Sequence, residues 1–388
     1  MKRRQFLAVI GGGVVLAAGA ATMRVTRSAA EAAAPWKAAG SEYEEVRRKA
    51  LSYAILAPNP HNMQPWKVDL SVPDTVILYP DTTRLLPHTD PSNRQITVGL
   101  GCFLELMVMA AAEDGVLVDL DVFPQGSDSD ALDERPVAVA RFVKDASVTP
   151  DPLFTHVLQR RSNKEAYDLG REVSSDTLTR IAQAARVNRI GWTNTMNEVE
   201  DIRALTQQAS TIEMETPHTH KESVDVFRIG AKEVIANPDG IDLSGPMMEA
   251  LSAVGMLRRD DMMHPGQTGF EQGREAVLGP LRTGMAYMWM VSPANDRASQ
   301  IAAGRDWVRV NLACTREGVD MQPNSQALQE YPEMAALYAK VHEMWADDGG
   351  TVQMLLRLGY GETVLASPRW PLEAKLIGDR TAHLADPY

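Results

Sequence analysis

Two stretches of the chain concentrate side chains able to hold a ligand. The first, Ala57–Trp66, reads A-P-N-P-H-N-M-Q-P-W. Prolines at 58, 60 and 65 fix φ and remove backbone donors, so this is neither helix interior nor central strand. Asn59, His61, Asn62 and Gln64 can donate or accept hydrogen bonds from a backbone the prolines stiffen. Rigid loops on a scaffold are where binding groups sit. A Pro-rich connector of ordinary turn residues fits the same composition equally well. The second stretch is Arg160-Arg161-Ser162-Asn163-Lys164. Guanidinium forks grip phosphate oxygens in pairs, and a hydroxyl adds a donor. A solvated basic helix end is the plainer alternative. A third cluster, His218-x-His220 flanked by acids such as Glu222, has its histidines two apart rather than at i, i+4 and offers no third metal ligand, so it reads as a solvated segment with no metal.

The elements that must position these residues follow from periodicity. Tyr43–Leu56 has helical spacing and is ended by Pro58. Trp66–Leu70 and Thr75–Tyr79 alternate as short strands around the turn Val72-Pro73-Asp74. Asn93–Asp114 is a long apolar helix stopped by Gly115, and strands are expected over Val116–Phe123 and Pro136–Val143. The spacing then predicts a short helix over Phe154–Arg161, helices over Ser175–Arg186 and Glu198–Gln208, and a polar run over Thr211–Asp239. Asp242–Arg282, with Met247, Met248, Met256, Met262 and Met263, is either ordinary core or a lid. Gly284–Val291 reads as a strand and Ala294–Glu317 as a second long helix. Gly101 precedes Gly115 by fourteen residues, as Gly304 precedes Gly318. The chain therefore carries two copies of one αβ unit.

The motifs resemble those of the flavin-dependent nitroreductase family. A-P-N-P-H-N-M-Q-P-W is similar to that family's helix-to-strand loop, which reaches across a homodimer interface to the flavin. Arg160–Tyr167 resembles its R-R-S opening, and Ser367-Pro368-Arg369-Trp370-Pro371-Leu372-Glu373 resembles its closing segment, with Trp370 where a second basic residue is usual. The front copy has the cross-interface loop and no phosphate opening. The back copy has the opening and the closing arginine, but reads Arg186-Val187-Asn188-Arg189-Ile190-Gly191-Trp192 where a second loop belongs.

The resemblance implies an α+β, nitroreductase-like fold whose two tandem copies pack as an intramolecular pseudo-dimer. It is most similar to the divergent tandem nitroreductase-like proteins first noted among mycobacterial dormancy genes. The expected division is a signal over 1–32, a first half over 43–150, and a second half over 151–388 with a lid-like insert at about 195–282. The resemblance also implies one FMN per chain. Arg160, Arg161, Ser162 and Arg369 would hold its phosphate, with Asn163 beside them. Asn59, His61, Asn62 and Gln64 would touch the ring or ribityl, and Lys164 the N1/O2 edge. No catalytic side chain is implied, because flavin N5 carries the electrons. The expected activity is an FMN-dependent oxidoreductase reducing nitro or quinone-type small-molecule acceptors. The alternative is a flavin-binding or storage protein with little turnover.

Composition sets the outer bounds. The chain has 388 residues, net charge −12, 44% hydrophobic and 23% charged residues, as a folded soluble protein does. No basic stripe points to nucleic acid. Cys102 and Cys314 make neither a disulfide framework nor a zinc site and read as buried thiols. Lys2-Arg3-Arg4-Gln5-Phe6-Leu7 followed by an apolar run to about Ala21 resembles a twin-arginine export signal. That implies a partnership with the twin-arginine export machinery and a periplasmic location, or retention at the membrane by an uncleaved signal. That route carries folded proteins, which suits a chain that takes up a cofactor first.

Overall fold

The computed structural model describes residues 31–378 except 129, 246, 247, 250 and 252–257. The leader, Met247 and Met256 therefore lie outside the described residues. In chain order the elements are α1 (Ala34–Ala38), α2 (Val46–Ala54), β1 (Trp66–Asp69), β2 (Thr75–Pro80), α3 (Arg94–Ala112), β3 (Val116–Val122) and β4 (Ala138–Lys144). The back half continues with α4 (Ser175–Ala182), β5 (Arg189–Thr193), α5 (Met196–Glu215), α6 (Pro217–Asp225), β6 (Phe227–Ile229), α7 (Gly230–Ala236) and β7 (Ile241–Leu243). It closes with α8 (Thr268–Leu281), β8 (Ala286–Ser292), α9 (Arg297–Arg316), β9 (Asp320–Pro323), α10 (Ala335–Trp345), β10 (Thr351–Gly359) and β11 (Leu376–Ile377).

The repetition is structural. The front sheet runs β11-β1-β2-β4-β3 and the back sheet β5-β8-β10-β9. Matching β1 with β5, β2 with β8, β3 with β9 and β4 with β10 gives the same strand order in both halves. The long helices α3 and α9 cross at paired glycines. A Cβ on Gly101 would lie 2.3 Å from the Ile301 carbonyl oxygen, and one on Gly304 would lie 2.0 Å from that of Val98. Each glycine thus faces the carbonyl three residues before its counterpart, the self-complementary contact of a two-fold axis. Only residues without a side chain allow backbones this close. The fold is α+β, with two like halves packed as an intramolecular pseudo-dimer.

One apolar core runs from Val68, Val76 and Leu78 of the front sheet through Leu100, Phe103, Trp307 and Leu312 to Met288, Met290 and Leu356 of the back sheet. Helix α3 has the length and hydropathy of a membrane span, but here it is this core's central helix. Helices α5 and α10 cover the other face of the back sheet, where Val199, Leu205, Val341 and Trp345 meet Tyr287, Val291 and Leu355. With both faces covered, β8 and β10 are buried at nearly every position.

Three expectations change. Phe154–Arg161 is not a helix; only a 3-10 turn at Pro152–His156 forms, and the chain beyond it is drawn out as Asn163 N–H donates to the Met321 carbonyl at 2.8 Å. The polar run after residue 211 is largely helical, because α5 continues to Glu215 and α6 follows directly. Its start is core as well, since α5 packs on the back sheet. The rest of the insert sits between β5 and β8, where the front half has only the Val72–Asp74 turn, and carries the parallel pair β6–β7. The tail then returns to the front half, where β11 pairs in parallel with the edge strand β1.

Candidate functional site

The site forms where α2 ends. Pro58 stops the helix, leaving the Leu56 and Ala57 carbonyls without helical partners. Arg160 Nη2 donates to Leu56 O at 3.0 Å, and Arg369 Nη2 donates to Leu56 O at 3.2 Å and Ala57 O at 3.1 Å. Cations at a helix C-terminus answer its dipole. The back half's opening and closing arginines therefore meet the front half's loop at one place.

The loop itself is held tightly. His61, Asn62 and Gln64 have φ of 47°, 54° and 51°, left-handed values uncommon for residues other than glycine, with right-handed Met63 between them. The chain keeps that shape through its own polar groups. Asn59 Oδ1 accepts from Gln64 N–H at 2.7 Å, while Asn59 Nδ2 donates to Ala57 O at 3.1 Å. Buried Gln64 donates to Pro238 O at 2.7 Å and accepts from Trp370 N–H at 2.9 Å. Asn62 Nδ2 donates to Pro368 O at 3.0 Å, and Asn62 Oδ1 accepts from Arg369. On the opposite wall Asn163 is fully buried and bonded to Glu362 O and Glu165 N–H. Asn59, Gln64 and Asn163 thus shape the walls. Asn59, His61, Asn62, Arg161 and Ser162 are partly exposed, although Asn59 and Asn62 spend both amide atoms on protein.

Lys164 is exposed; the surrounding protein lowers its pKa, and the Asp242 carboxylate opposes the shift. His61 lies near it. Enclosure first, and the Lys164 ammonium second, push the imidazole pKa down to about 4, so His61 is neutral at pH 7. Its Nδ1 is buried without a partner.

The charge balance marks the site most clearly. Arg160 and Arg369 are each 3% exposed, each has an unpartnered Nε, and Arg161 lies beside them. Among the described residues no carboxylate pairs with any of the three. Burial, then the neighbouring Arg160 and Arg161, press Arg369 well below its ordinary pKa. A guanidinium keeps its proton in a protein, so the three stay charged side by side. The equivalent place in the back half is different. There Asp306 accepts from the backbone N–H groups of Arg186, Val187 and Asn188 at 2.7–2.9 Å. Glu105 pairs with Arg186, Arg305 and Arg309, and Asp151 pairs with Arg309 at 2.7 Å. The second location is neutralised by the protein itself.

Several residues around the site carry no motif. The insert supplies Pro238, Asp239 and Gly240, whose N–H donates to Asn62 O at 3.2 Å. The run Asn237-Pro238-Asp239-Gly240 is a strong turn sequence, and that was the available signal. Trp370 donates its indole N–H to Asp239 at 2.7 Å, and Trp36 lies against the arginines.

Lys375, 4% exposed, donates to Gln64 O at 2.8 Å and supports the loop from below. Burial, then Arg84, push its pKa down to about 7. An unfolded lysine titrates near ~10.4, so between about 7 and 10 the unfolded chain binds more protons and this group makes stability rise with pH. Thermal unfolding of Lys375→Met from pH 6 to 9 should show that rise reduced. Equal slopes in the two proteins would remove this assignment.

No family model matches the chain. A Mycobacterium tuberculosis relative assigned to the NAD(P)H nitroreductases, Rv3131, is 25% identical over 321 residues, covering 81% of this chain and 85% of the relative. A second from the same organism, acg, is 34% identical over 84 residues, 22% of this chain and 25% of the relative. Among solved structures, a Bacteroides fragilis nitroreductase with bound FMN overlays at a TM-score of 0.33 and 12% identity, covering 55% of this chain and 90% of that one. The FMN-dependent nitroreductase NfnB of Mycobacterium smegmatis, solved with NADPH, gives 0.36 and 16%, covering 58% and 96%. The similarity to Rv3131 runs through both halves, so over most of its length the chain resembles a protein assigned to the NAD(P)H nitroreductases.

Proposed function

We propose that the chain binds one FMN between the Arg161–Lys164 stretch of the back half and the His61–Asn62 loop of the front half, and acts as an FMN-dependent oxidoreductase on nitro or quinone-type acceptors. The observation that carries this reading is the carboxylate-free group of buried Arg160 and Arg369 with partly exposed Arg161 at the end of the amide loop. The donor set fits the cofactor. Arg161 and Ser162 present an open side for a phosphate, Arg160 and Arg369 add unpartnered Nε groups, and Lys164 is close enough to neutral His61 to act on its titration. Bound FMN would supply the electron transfer. The residues supply charge, position and the exclusion of water. The ion-paired second location supports one flavin per chain. The leader motif supports export of the folded, loaded protein to the periplasm, which fractionation of the native host would test.

A storage role is the second reading. It is favoured by the insert, which bonds to Gln64 and Asn62 and sets Asp242 near Lys164. Anaerobic mixing with NADH or NADPH, followed at about 450 nm where oxidised flavin absorbs, separates the two. Bleaching followed by reoxidation with a quinone supports the enzyme; a yellow protein that neither donor bleaches supports storage. Arg161→Gln should weaken FMN binding by about 10- to 100-fold, the loss of one charge-assisted phosphate contact. Unchanged affinity would remove Arg161 from the site.

A further inference from the structure

Three guanidinium carbons converge on one indole. Arg160, Arg161 and Arg369 lie 5.6, 4.9 and 5.5 Å from the Trp36 ring centroid. Trp36 comes from α1, outside every motif of the site, and is 6% exposed. It is pinned from both sides. Its Nε1–H donates to Ser367 O at 2.9 Å, and Arg369 N–H donates to Ala32 O at 3.0 Å. The segment 32–36 is thus tied to the closing tail on either side of the three cations. Like charges this close repel, and among the described residues no carboxylate separates them. An indole face attracts guanidinium groups without neutralising them and offers no acceptor that would compete with a phosphate.

We propose that Trp36 is a positioning residue for the anion site: its ring holds the three arginines together on one side and leaves their charge for a ligand phosphomonoester on the other. A carboxylate there would bring the cations together equally well but cancel the charge, as Glu105 and Asp151 do at the second location. This inference rests on the flavin reading above and adds a residue from the amino-terminal segment to it.

The test is equilibrium titration of the full chain with FMN and, separately, with riboflavin, which has the same ring and no phosphate. Trp36→Leu should weaken FMN by about tenfold or more and leave riboflavin within about twofold. Trp36→Phe keeps a π face and should recover most of the FMN affinity. Equal losses for both flavins would make the indole merely structural, and an unchanged FMN affinity would show that it does nothing; either result overturns the proposal. If Trp36→Leu does not fold, Trp36→Phe carries the test, with a loss of about two- to threefold confined to FMN. Wild-type protein that binds neither flavin removes the flavin reading itself. Wild-type protein that binds FMN beside an indifferent Trp36 variant removes only this role.

Discussion

Gly304→Ala should destabilise the protein by about 3 kcal/mol or more, an exceptional effect for one added methyl. Helix propensity alone predicts the opposite sign, because alanine in a helix interior is favoured over glycine by about 1 kcal/mol. Contact decides. The new Cβ would lie 2.0 Å from the Val98 carbonyl oxygen and 2.8 Å from Gly101 Cα, both backbone atoms of a helix buried on all sides. Neither can rotate away, so α3 and α9 must separate along the axis that joins the halves. Gly101→Ala meets the Ile301 carbonyl at 2.3 Å and should behave the same way. Gly115→Ala is a useful contrast: it meets nothing within 4 Å, but its φ of +65° gives it a backbone penalty instead. Thermal unfolding measures all three. A Gly304→Ala protein as stable as wild type would mean that the two helices are not locked at this crossing.

Asp239→Ala should release the insert from the site and lower stability by about 3 kcal/mol, the low end for removing one partner from a buried ion pair. The Asp239 side chain is 3% exposed, whereas Arg84 and Arg228 are 24% and 18% exposed, so water relieves part of the loss. Burial alone would raise the Asp239 carboxyl, but hydrogen bonds from Arg84, Trp370 and Arg228 overcome it and hold the pKa below the ordinary value. These partners come from three places: Arg84 from the front half, Trp370 from the tail, and Arg228 from the insert. Removing the carboxylate leaves Arg228 without an acid and an indole N–H without an acceptor beside the Gln64–Pro238 bond, while Arg84 keeps Asp81 at 3.2 Å. Hydrogen exchange should rise across 226–243, limited proteolysis should move into the insert, and bound FMN should leave roughly tenfold faster. Asp239→Asn keeps an acceptor for Trp370 and should fall between. Unchanged protection of 226–243 in the alanine variant would show that the insert is held elsewhere.

Local signals announced most of the elements. Proline placement in 57–66 excludes regular structure whatever surrounds it. Helical spacing over 93–114 and 294–317, each closed by a glycine, gave the two central helices within a few residues of Arg94–Ala112 and Arg297–Arg316. The short helix expected over 154–161 failed because Arg160 and Asn163 bond to other elements, and local spacing carries no trace of a partner that far along the chain. Likewise α5 reads as part of an insert, though its apolar side closes the back sheet.

The sequence by itself determined which residue types stand at the site: an arginine pair with a serine, a closing arginine, and an amide loop whose shape the prolines limit. Spacing is a property of the chain and needs no fold. Tertiary structure alone decided which of those groups remain open, because Asn59, Gln64 and Asn163 turn inward to bond protein while His61, Arg161, Ser162 and Lys164 keep an accessible side. It also decided which arginines lack a carboxylate, placing Trp36 rather than an acid beside Arg160, Arg161 and Arg369, and Glu105 and Asp151 beside Arg309. Net charge is additive along a sequence, whereas the balance of charge at one point depends on which distant residues the fold brings there.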